Sequence, residues 1–418
     1  MLLKTILNRV YRHKGFVYQN GKFVQEKGGR LTIEIRVKPR RNSKPICSGC
    51  NQARPGYDHL SERRYQMVPV FGFAVYLVYR PRRVECPRCR VKVEQLPWCR
   101  GKETTTQAFQ WYLVFWTKYL ALSQVAEVFR TNWQTVYTAV ERAVEWGLAR
   151  RPLDNVKAIG VDEVQWQKGH HYLTLVYQID ASCRRLLYVG LDRTEQSLRG
   201  FFEAMPQQLA AGLKYVCSDM WQAYLTVLKK YAGQAVHVLD RYHIVAKLNK
   251  AIDEVRADEA RRMKADGDEP VLKHSRWCLL KRPENLTDKQ GSKLRELLGY
   301  NLKTMRAYLL TREFQDLWEY VGPTWAGKFL DGWLTKVMRS RIEPLKKVAR
   351  TLRKHRALIL NWFKARGEIS AGIVEGQNYN VKLLMRRSYG IRSFRVMETL
   401  LYHQLGKLPV SELAHRFV

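Results

Sequence analysis

No stretch of this chain reaches the ~20 consecutive apolar residues that a membrane-spanning helix needs. The longest candidate, Ala108 to Leu122, is interrupted by Lys118 and suits a buried helix better. The opening Met1-Leu-Leu-Lys-Thr-Ile-Leu-Asn-Arg9 has no apolar region long enough for a secretory signal, so an intracellular protein is expected. Neither an internal repeat nor a low-complexity tract is visible, and a hydrophobic share of 46% is that of a folded globular protein. Acidic residues are scarce, with 38 Asp+Glu against 73 Lys+Arg, a formal charge of +35. Such a surplus is evidence about partners rather than fold. Duplex DNA, with one phosphate charge per ~1.7 Å of axis, rewards it most.

Cysteine is also sparse, and its placement matters more than its number. Four of the eight form two pairs, Cys47-Ser-Gly-Cys50 and Cys86-Pro-Arg-Cys89, separated by 35 residues. Two C-x2-C pairs match tetrahedral zinc, and in a reducing compartment paired cysteines bind metal more often than they form disulfides. A structural Zn²⁺ held by Cys47, Cys50, Cys86 and Cys89 is therefore expected. His59 and Cys99 are spare candidates that the symmetry of the pairs disfavours. A redox motif is the weaker rival, because neither pair opens a helix inside a βαβ unit. Cys183, Cys217 and Cys278 read as small buried hydrophobes.

At 418 residues the chain has room for two to four domains. Residues 1–100 hold 22 Lys+Arg against 6 Asp+Glu, which marks a DNA-contacting N-terminal part. Residues 1–45 read as a basic arm, and 46–103 as a zinc-ribbon domain with strands near Met67 to Tyr79. A helical region over 104–152 contains Leu122 to Phe129, a break at Arg130-Thr-Asn-Trp133, and Gln134 onward, the pattern of a helix-turn-helix. Val125, Ala126 and Phe129 would face Val136 and Val140. Asn132, Gln134 and Thr135 then open a recognition helix, where base edges are reached.

From about 156 the periodicity changes. Three strand-like runs (156–167, 171–180, 185–192) precede a helix (195–211), strand (214–219), helix (221–232), strand (234–240) and helix (242–263). That order is the one expected of an RNase H-like α/β core, over 153–263 and 366–405. Residues 264–365 lack strand alternation and read as an all-helical insertion. Asp162 lies on the first strand, Asp219 follows the fourth, and Glu375 opens the last helix of the core. Three such carboxylates can hold two Mg²⁺ (or Mn²⁺) ions ~3.5–4 Å apart, an arrangement suited to phosphodiester cleavage and transfer. Glu163 is the rival of Asp162, and a helix cap is the bland alternative for Asp219.

The blocks Ile159-Gly-Val-Asp-Glu163, Cys217-Ser-Asp-Met-Trp-Gln-Ala-Tyr224, Val238-Leu-Asp-Arg-Tyr-His-Ile-Val245 and Val374-Glu-Gly-Gln-Asn-Tyr-Asn-Val-Lys-Leu-Leu-Met-Arg-Arg-Ser-Tyr-Gly390 resemble those of bacterial insertion-sequence transposases of the DDE class, the ISL-three family. The likeness covers nearly the whole chain and departs from the family at Ile373 and Gln377, where Pro and Leu are usual. It implies a catalytic, metal-binding triad of Asp162, Asp219 and Glu375, with Asp240 in support and His243 at the Asp-x-x-His signature. Lys382, two turns beyond Glu375, and Arg386 and Arg387 would contact DNA. The implied activity is binding of the element's terminal inverted repeats, metal-dependent cleavage and strand transfer into target DNA by at least a dimer, in the cytoplasm and on the nucleoid. A DNA-binding regulator without chemistry, or an RNase H-like nuclease or resolvase, are the alternative classes.

Overall fold

The computed structural model describes residues 3–365, 369 and 372–412. The chain divides into two compact units. One takes in the chain up to Arg151 and again from Arg387, and the other runs from Pro152 to Arg386. No described helix is long and apolar enough to cross a membrane.

The first unit begins with helix α1 (Leu3–Val10) and strands β1 (Phe16–Gln25) and β2 (Leu31–Pro39). Strands β3 (Gly56–His59), β4 (Arg63–Val70), β5 (Phe73–Tyr79), β6 (Arg82–Cys86) and β7 (Arg90–Val93) follow. They form two sheets, β1-β2-β5-β4 and β3-β6-β7. The basic segment expected to be an arm is therefore mostly folded: β1 pairs with β2, and β2 pairs with β5. The reason lies in β2, whose alternate residues Ile33, Ile35 and Val37 are buried while Arg36 and Lys38 are not. Charge on one face had masked an ordinary two-faced strand. Trp98 closes this core with its ring against Phe16 (5.0 Å), Tyr79 (5.3 Å) and Tyr65 (5.9 Å). Cys99 is buried in the same core, away from the other thiols.

Helices α2 (Gln107–Trp116), α3 (Leu122–Val128) and α4 (Trp133–Leu148) complete the N-terminal part of this unit. Val125 and Ala126 of α3 and Val136 and Val140 of α4 are buried. Phe129 turns instead to the rings of Tyr112 (5.0 Å) and Trp116 (5.7 Å) on α2.

The second unit opens with β8 (Ala158–Gln167), β9 (His171–Asp180) and β10 (Cys183–Leu191), joined as an antiparallel meander. Then come α5 (Glu195–Ala204), α6 (Gln207–Gly212), β11 (Tyr215–Ser218), α7 (Gln222–Tyr231), β12 (Val236–Leu239) and α8 (Arg241–Asp266). The single helix expected over 195–211 is split at Met205-Pro206, because proline cannot donate within a helix. The sheet order is β10-β9-β8-β11-β12, with β8, β11 and β12 parallel. Ile159 and Val161 on one face of β8 pack with Leu198, Phe201, Tyr224 and Val227 of α5 and α7.

Between α8 and the end of this unit every regular element is helical: α9 (Arg276–Leu280), α10 (Asp288–Leu298), α11 (Lys303–Gln315), α12 (Pro323–Arg339), α13 (Glu343–Lys354), α14 (Arg356–Lys364) and α15 (Gly372–Arg387), besides two short 3-10 turns. Two apolar clusters hold α9 to α14 against α8. Ile244, Leu248 and Val255 join Phe314, Trp318, Leu330 and Trp333 in one, and Ile252 joins Cys278, Leu297 and Tyr308 in the other. Cys217 is likewise buried, whereas Cys183, at the start of β10, is half-buried.

The last helix, α16 (Phe394–Leu405), belongs to the first unit. The sequence pattern places it in the core over 366–405, and the structure puts the chain from Arg387 onward in the first unit instead. Its apolar side, including Met397, Leu400 and Leu401, is buried there, and His403 Nε2 lies 2.9 Å from Thr117 Oγ1 beyond the end of α2.

Two outcomes follow from this packing. Gly160 faces α15, and a Cβ there would sit 2.4 Å from Val374 Cγ2 and 3.2 Å from Ile179 Cγ2. Gly160→Ala should destabilise the protein by about 1–3 kcal/mol through overpacking, and adding Val374→Ala should restore much of that in a denaturant titration. His237 on β12 is half-buried with Nε2 2.8 Å from Ser218 Oγ, and the loss of solvent around its ring pushes its pKa down to about 4. The unfolded chain binds that proton first, so stability is lost as pH falls from about 6.5 toward 4, by up to about 3 kcal/mol. His237→Gln should flatten the fall in thermal midpoint between pH 7 and 5.

Candidate active site and metal centre

Parallel pairing sets three acids in a row. Cys217 of β11 is opposite Gly160 of β8, and Ser218 is opposite Leu239 of β12. One or two residues further along each chain stand Asp162, Asp219 and Asp240, at the carboxyl side of neighbouring strands, where open α/β sheets hold their ligands. Strand β8 itself runs on to Gln167, past Asp162.

Asp162 is 9% exposed. Its Oδ2 accepts a 2.6 Å hydrogen bond from Asn378 Nδ2 of α15, and Asn378 Oδ1 in turn accepts from Tyr177 OH at 2.8 Å. Its Oδ1 accepts from the Glu163 amide at 2.9 Å. Burial raises its carboxyl to about 6, and Asp219 and Asp240 add to the rise while His243 opposes it.

Asp219 Oδ1 accepts from the Trp221 amide at 2.9 Å, so it does shape the approach to α7. That bond engages one of its two oxygens. Burial raises its pKa too, against the pull of His243, Lys247 and Arg193. Asp240 caps α8, with Oδ1 accepting from the Tyr242 amide at 2.8 Å, and burial again raises its pKa. His243 Nε2 stands 3.8 Å from both Asp162 Oδ1 and Asp240 Oδ2. The histidine is thus placed between two carboxylates.

Glu163 points to the opposite face of β8, as alternation requires. Its Oε1 is 3.5 Å from Arg193 Nη1, and its Oε2 is buried with no hydrogen-bond partner. Burial, then Asp219 and Asp162, push its carboxyl up to about 7. Arg193 lies over the rings of Tyr172 (4.3 Å) and Trp221 (4.8 Å), and its carbonyl accepts from Trp221 Nε1 at 3.1 Å. Residue spacing gave no sign of Arg193. Asn378 could have been noticed, because it lies three residues after Glu375 on the same helix face.

Glu375 is exposed in the first turn of α15, and its charge contributes to the rise of Asp240. It makes no hydrogen bond to Asp162 or Asp219 among the described residues. The three acids do not draw together as metal ligands would: among the described residues only the four cysteines bring three or more ligating atoms within 4.8 Å of one another. Lys382 and Arg386 are exposed on α15, and Arg387 Nη1 donates to the Lys118 carbonyl at 3.0 Å. At the start of α4, Asn132 Oδ1 caps the helix by accepting from the Thr135 amide at 2.7 Å, and Gln134 is exposed.

Cys47, Cys50, Cys86 and Cys89 meet where the three-stranded sheet joins the preceding loop. Cys50 Sγ and Cys86 Sγ are 3.6 Å apart, close to the ~3.8 Å edge of a tetrahedron with Zn–S bonds of ~2.3 Å. A Cβ on Gly49 would lie 2.8 Å from Cys89 Sγ, so only glycine lets the two turns close. The Arg54 guanidinium lies against Cys50, which holds its pKa above the usual arginine value. A cation there suits four thiolates that carry more charge than one Zn²⁺ removes. The donor set fits structural zinc.

Residues 159–401 match the family model for the transposase of the ISL-three (ISL3) class. The chain belongs to this transposase family. Residues 43–89 match a second model, the zinc finger of transposases IS204, IS1001, IS1096 and IS1165. The chain is 29% identical over 395 residues to the transposase for insertion sequence element IS1001 of Bordetella parapertussis, across 94% of this chain and 96% of that one. It is 27% identical over 392 residues to the transposase for insertion sequence element IS1557 of Mycobacterium tuberculosis, across 88% of this chain and 87% of that one. As a member of this transposase family, the chain carries a zinc ribbon with a four-cysteine cluster.

Zinc should therefore co-purify at one ion per chain, measured by atomic emission. Cys86→Ser should lower that content and unfold the ribbon, because such sites depend on metal to fold. Unchanged zinc in this variant would remove Cys86 from the ligand set.

Proposed function

We propose that the protein binds the terminal inverted repeats of its own insertion sequence, cuts the DNA at the element's ends and joins the freed ends to target DNA. The observation that carries the reading is the acid row: Asp162, Asp219 and Asp240, each shifted toward the neutral form by burial, in a chain of formal charge +35. Carboxylates crowded in this way favour divalent cations among them. Asp162 and Asp219, with Glu375 brought in from α15, are the residues that would hold Mg²⁺ or Mn²⁺. Bound there, such ions would activate an oxygen nucleophile and stabilise the leaving oxygen of an in-line displacement.

The protein's own groups prepare that site. Asn378 fixes one oxygen of Asp162 and leaves the other toward His243. The Trp221 amide holds Asp219 by one oxygen. Asp240 fixes the start of α8 and so the position of His243. The sheet order and the run of helices from α9 to α14 support an RNase H-like core carrying a helical insertion over 264–365. The zinc ribbon and the α3–α4 pair are the modules assigned to the inverted repeats, with Asn132, Gln134 and Thr135 at the base edges. Lys382, Arg386 and Arg387 are assigned to phosphates near the cut. Because two ends must be joined, the working form on DNA is a homodimer, in the cytoplasm on the nucleoid.

The test is a cleavage assay on DNA carrying the element's ends, with and without Mg²⁺. Wild-type protein should nick at the ends only with metal, and Asp219→Asn should lower cutting by at least a thousandfold while end binding stays within a few-fold. Cutting by Asp219→Asn at the wild-type rate would remove Asp219 from the site. Specific binding with no cutting by wild type would turn the reading to a DNA-binding regulator.

A further inference from the structure

Beside the acid row, the second unit contains a cavity of about 780 Å³ walled by α8, α9, α11 and α14, within the ~300–1,000 Å³ of ligand-holding pockets. Asp240 and Glu375 line its mouth, and Arg241, Arg282 and Arg312 line its interior. None of the three arginines forms an ion pair among the described residues, although Glu284 and Glu319 also line the cavity. Arg241 lies over the rings of Trp318 (5.1 Å) and Trp362 (5.9 Å). Burial, and then the neighbouring charge of Arg282, lower its pKa. The lining sets Arg241, Lys281, Arg282 and Arg312 against Asp240, Glu284, Glu319 and Glu375, and Glu319 opposes the fall in the Arg241 pKa, but guanidinium groups outside any direct ion pair keep their forked donors open to a phosphate.

Two further observations narrow the ligand. Tyr242 lines the cavity next to Asp240 and is 58% exposed, a large flat ring left in water. Thr311 also lines it, is 4% exposed, and its Oγ1 has no hydrogen-bond partner. A buried hydroxyl is rarely left unpaired unless a ligand or water completes it. The site therefore offers cations for phosphate, an aromatic face for stacking and a hydroxyl for one polar contact. A duplex does not fit in such a volume, whereas one or two unpaired nucleotides do.

We propose that this cavity receives an unpaired nucleotide of a DNA strand, displaced from the duplex beside the acid row. Arg282 and Arg312 take its phosphate, Tyr242 stacks its base, and Thr311 Oγ1 supplies a hydrogen bond. The inference deepens the reading of the acid row as a DNA-cutting site and rests on it for the source of the strand. An enzyme working on DNA gains when the nucleotide at the reacting point is drawn out of the stack, and pairing resists this least where a strand is already single. Stacking on an aromatic ring tolerates any base, so the cavity selects an unpaired strand rather than a sequence.

The full-length protein, with its zinc, would be tested without added Mg²⁺ or Mn²⁺ by fluorescence anisotropy. The probes are a short duplex with an unpaired single-stranded tail and a blunt duplex with the same number of phosphates. Wild type should bind the tailed probe about tenfold more tightly. Tyr242→Ala, Thr311→Val and the pair Arg282→Ala with Arg312→Gln should each reduce that preference to about twofold or less. Thr311→Val keeps the side chain's shape and removes a hydroxyl that bonds to nothing, so its thermal midpoint should not fall. Equal binding of the two probes by wild type would overturn the proposal. So would a preference that survives in all the variants, or free deoxynucleotide monophosphate competing as well as the tailed probe. Cleavage of paired element ends with Mg²⁺, scored in parallel, separates the two readings. Loss of the tail preference with cutting intact sinks only the cavity, and absence of cutting with the preference intact sinks only the transposition reading.

Discussion

Burying Asp162, Asp219 and Asp240 side by side raises the free energy of the folded chain unless positive charge enters among them. Each is shifted toward its neutral form, and His243 stands 3.8 Å from two of them. Much of the second unit can be understood as support for that row. Parallel register delivers the acids to one edge, Asn378 and the Trp221 amide fix individual oxygens, and Gly160 lets α15 approach β8 closely enough for Asn378 to reach. These hydrogen bonds orient the carboxylates without neutralising them, which on the proposed reading leaves their charge for bound cations to offset. The protein's stability then depends on what binds there.

The zinc cluster meets the same electrostatic problem in the first unit with a different solution. Its four sulfurs lie within 4.8 Å of one another because two short turns, one of them free of a side chain at Gly49, close on a common centre. That spacing is set before metal chemistry is considered. By contrast, the exposed Glu375 makes no direct contact with Asp162 or Asp219, so the acid site is less closed than the thiol site. On the proposed reading of the acids as a Mg²⁺ site, the difference follows from ligand softness. Thiolates enclose a structural ion completely, while oxygen sites for Mg²⁺ retain water and leave room for substrate.

Local patterns carried the sequence a long way. The order of strands and helices from Ala158 to Asp266 was legible because apolar alternation and proline or glycine breaks are local signals. The two cysteine pairs were legible because their spacing is chemical. Three features were not. The strands near the N-terminus were hidden by arginine and lysine on their outer face. The place of α16 was obscure because its apolar stripe does not say which unit will cover it. The role of Arg193 emerged only when distant segments met, and so did the partner of Asn378, whose helix face was readable but which comes 216 residues after Asp162. Asp162 and Glu163 were indistinguishable in the sequence, and the pleat separates them: Asp162 shares a face with α15, while Glu163 turns toward Arg193.

Helix α8 ties the acid row to the helical region mechanically. It begins immediately after Asp240, carries His243 in its first turn, and continues for 26 residues to Gly267, whose φ of 76° ends it. Its amino terminus presents a partial positive charge to Asp240, which offsets some of the repulsion in the row. Further along, Ile244, Leu248, Ala251 and Val255 anchor one apolar cluster, and Ile252 anchors the other. A close-packed helix cannot shift at one end and stay fixed at the other. Any displacement of the helices around the cavity is therefore also a displacement of Asp240 and His243, and a strand held between those helices is held in register with the acids.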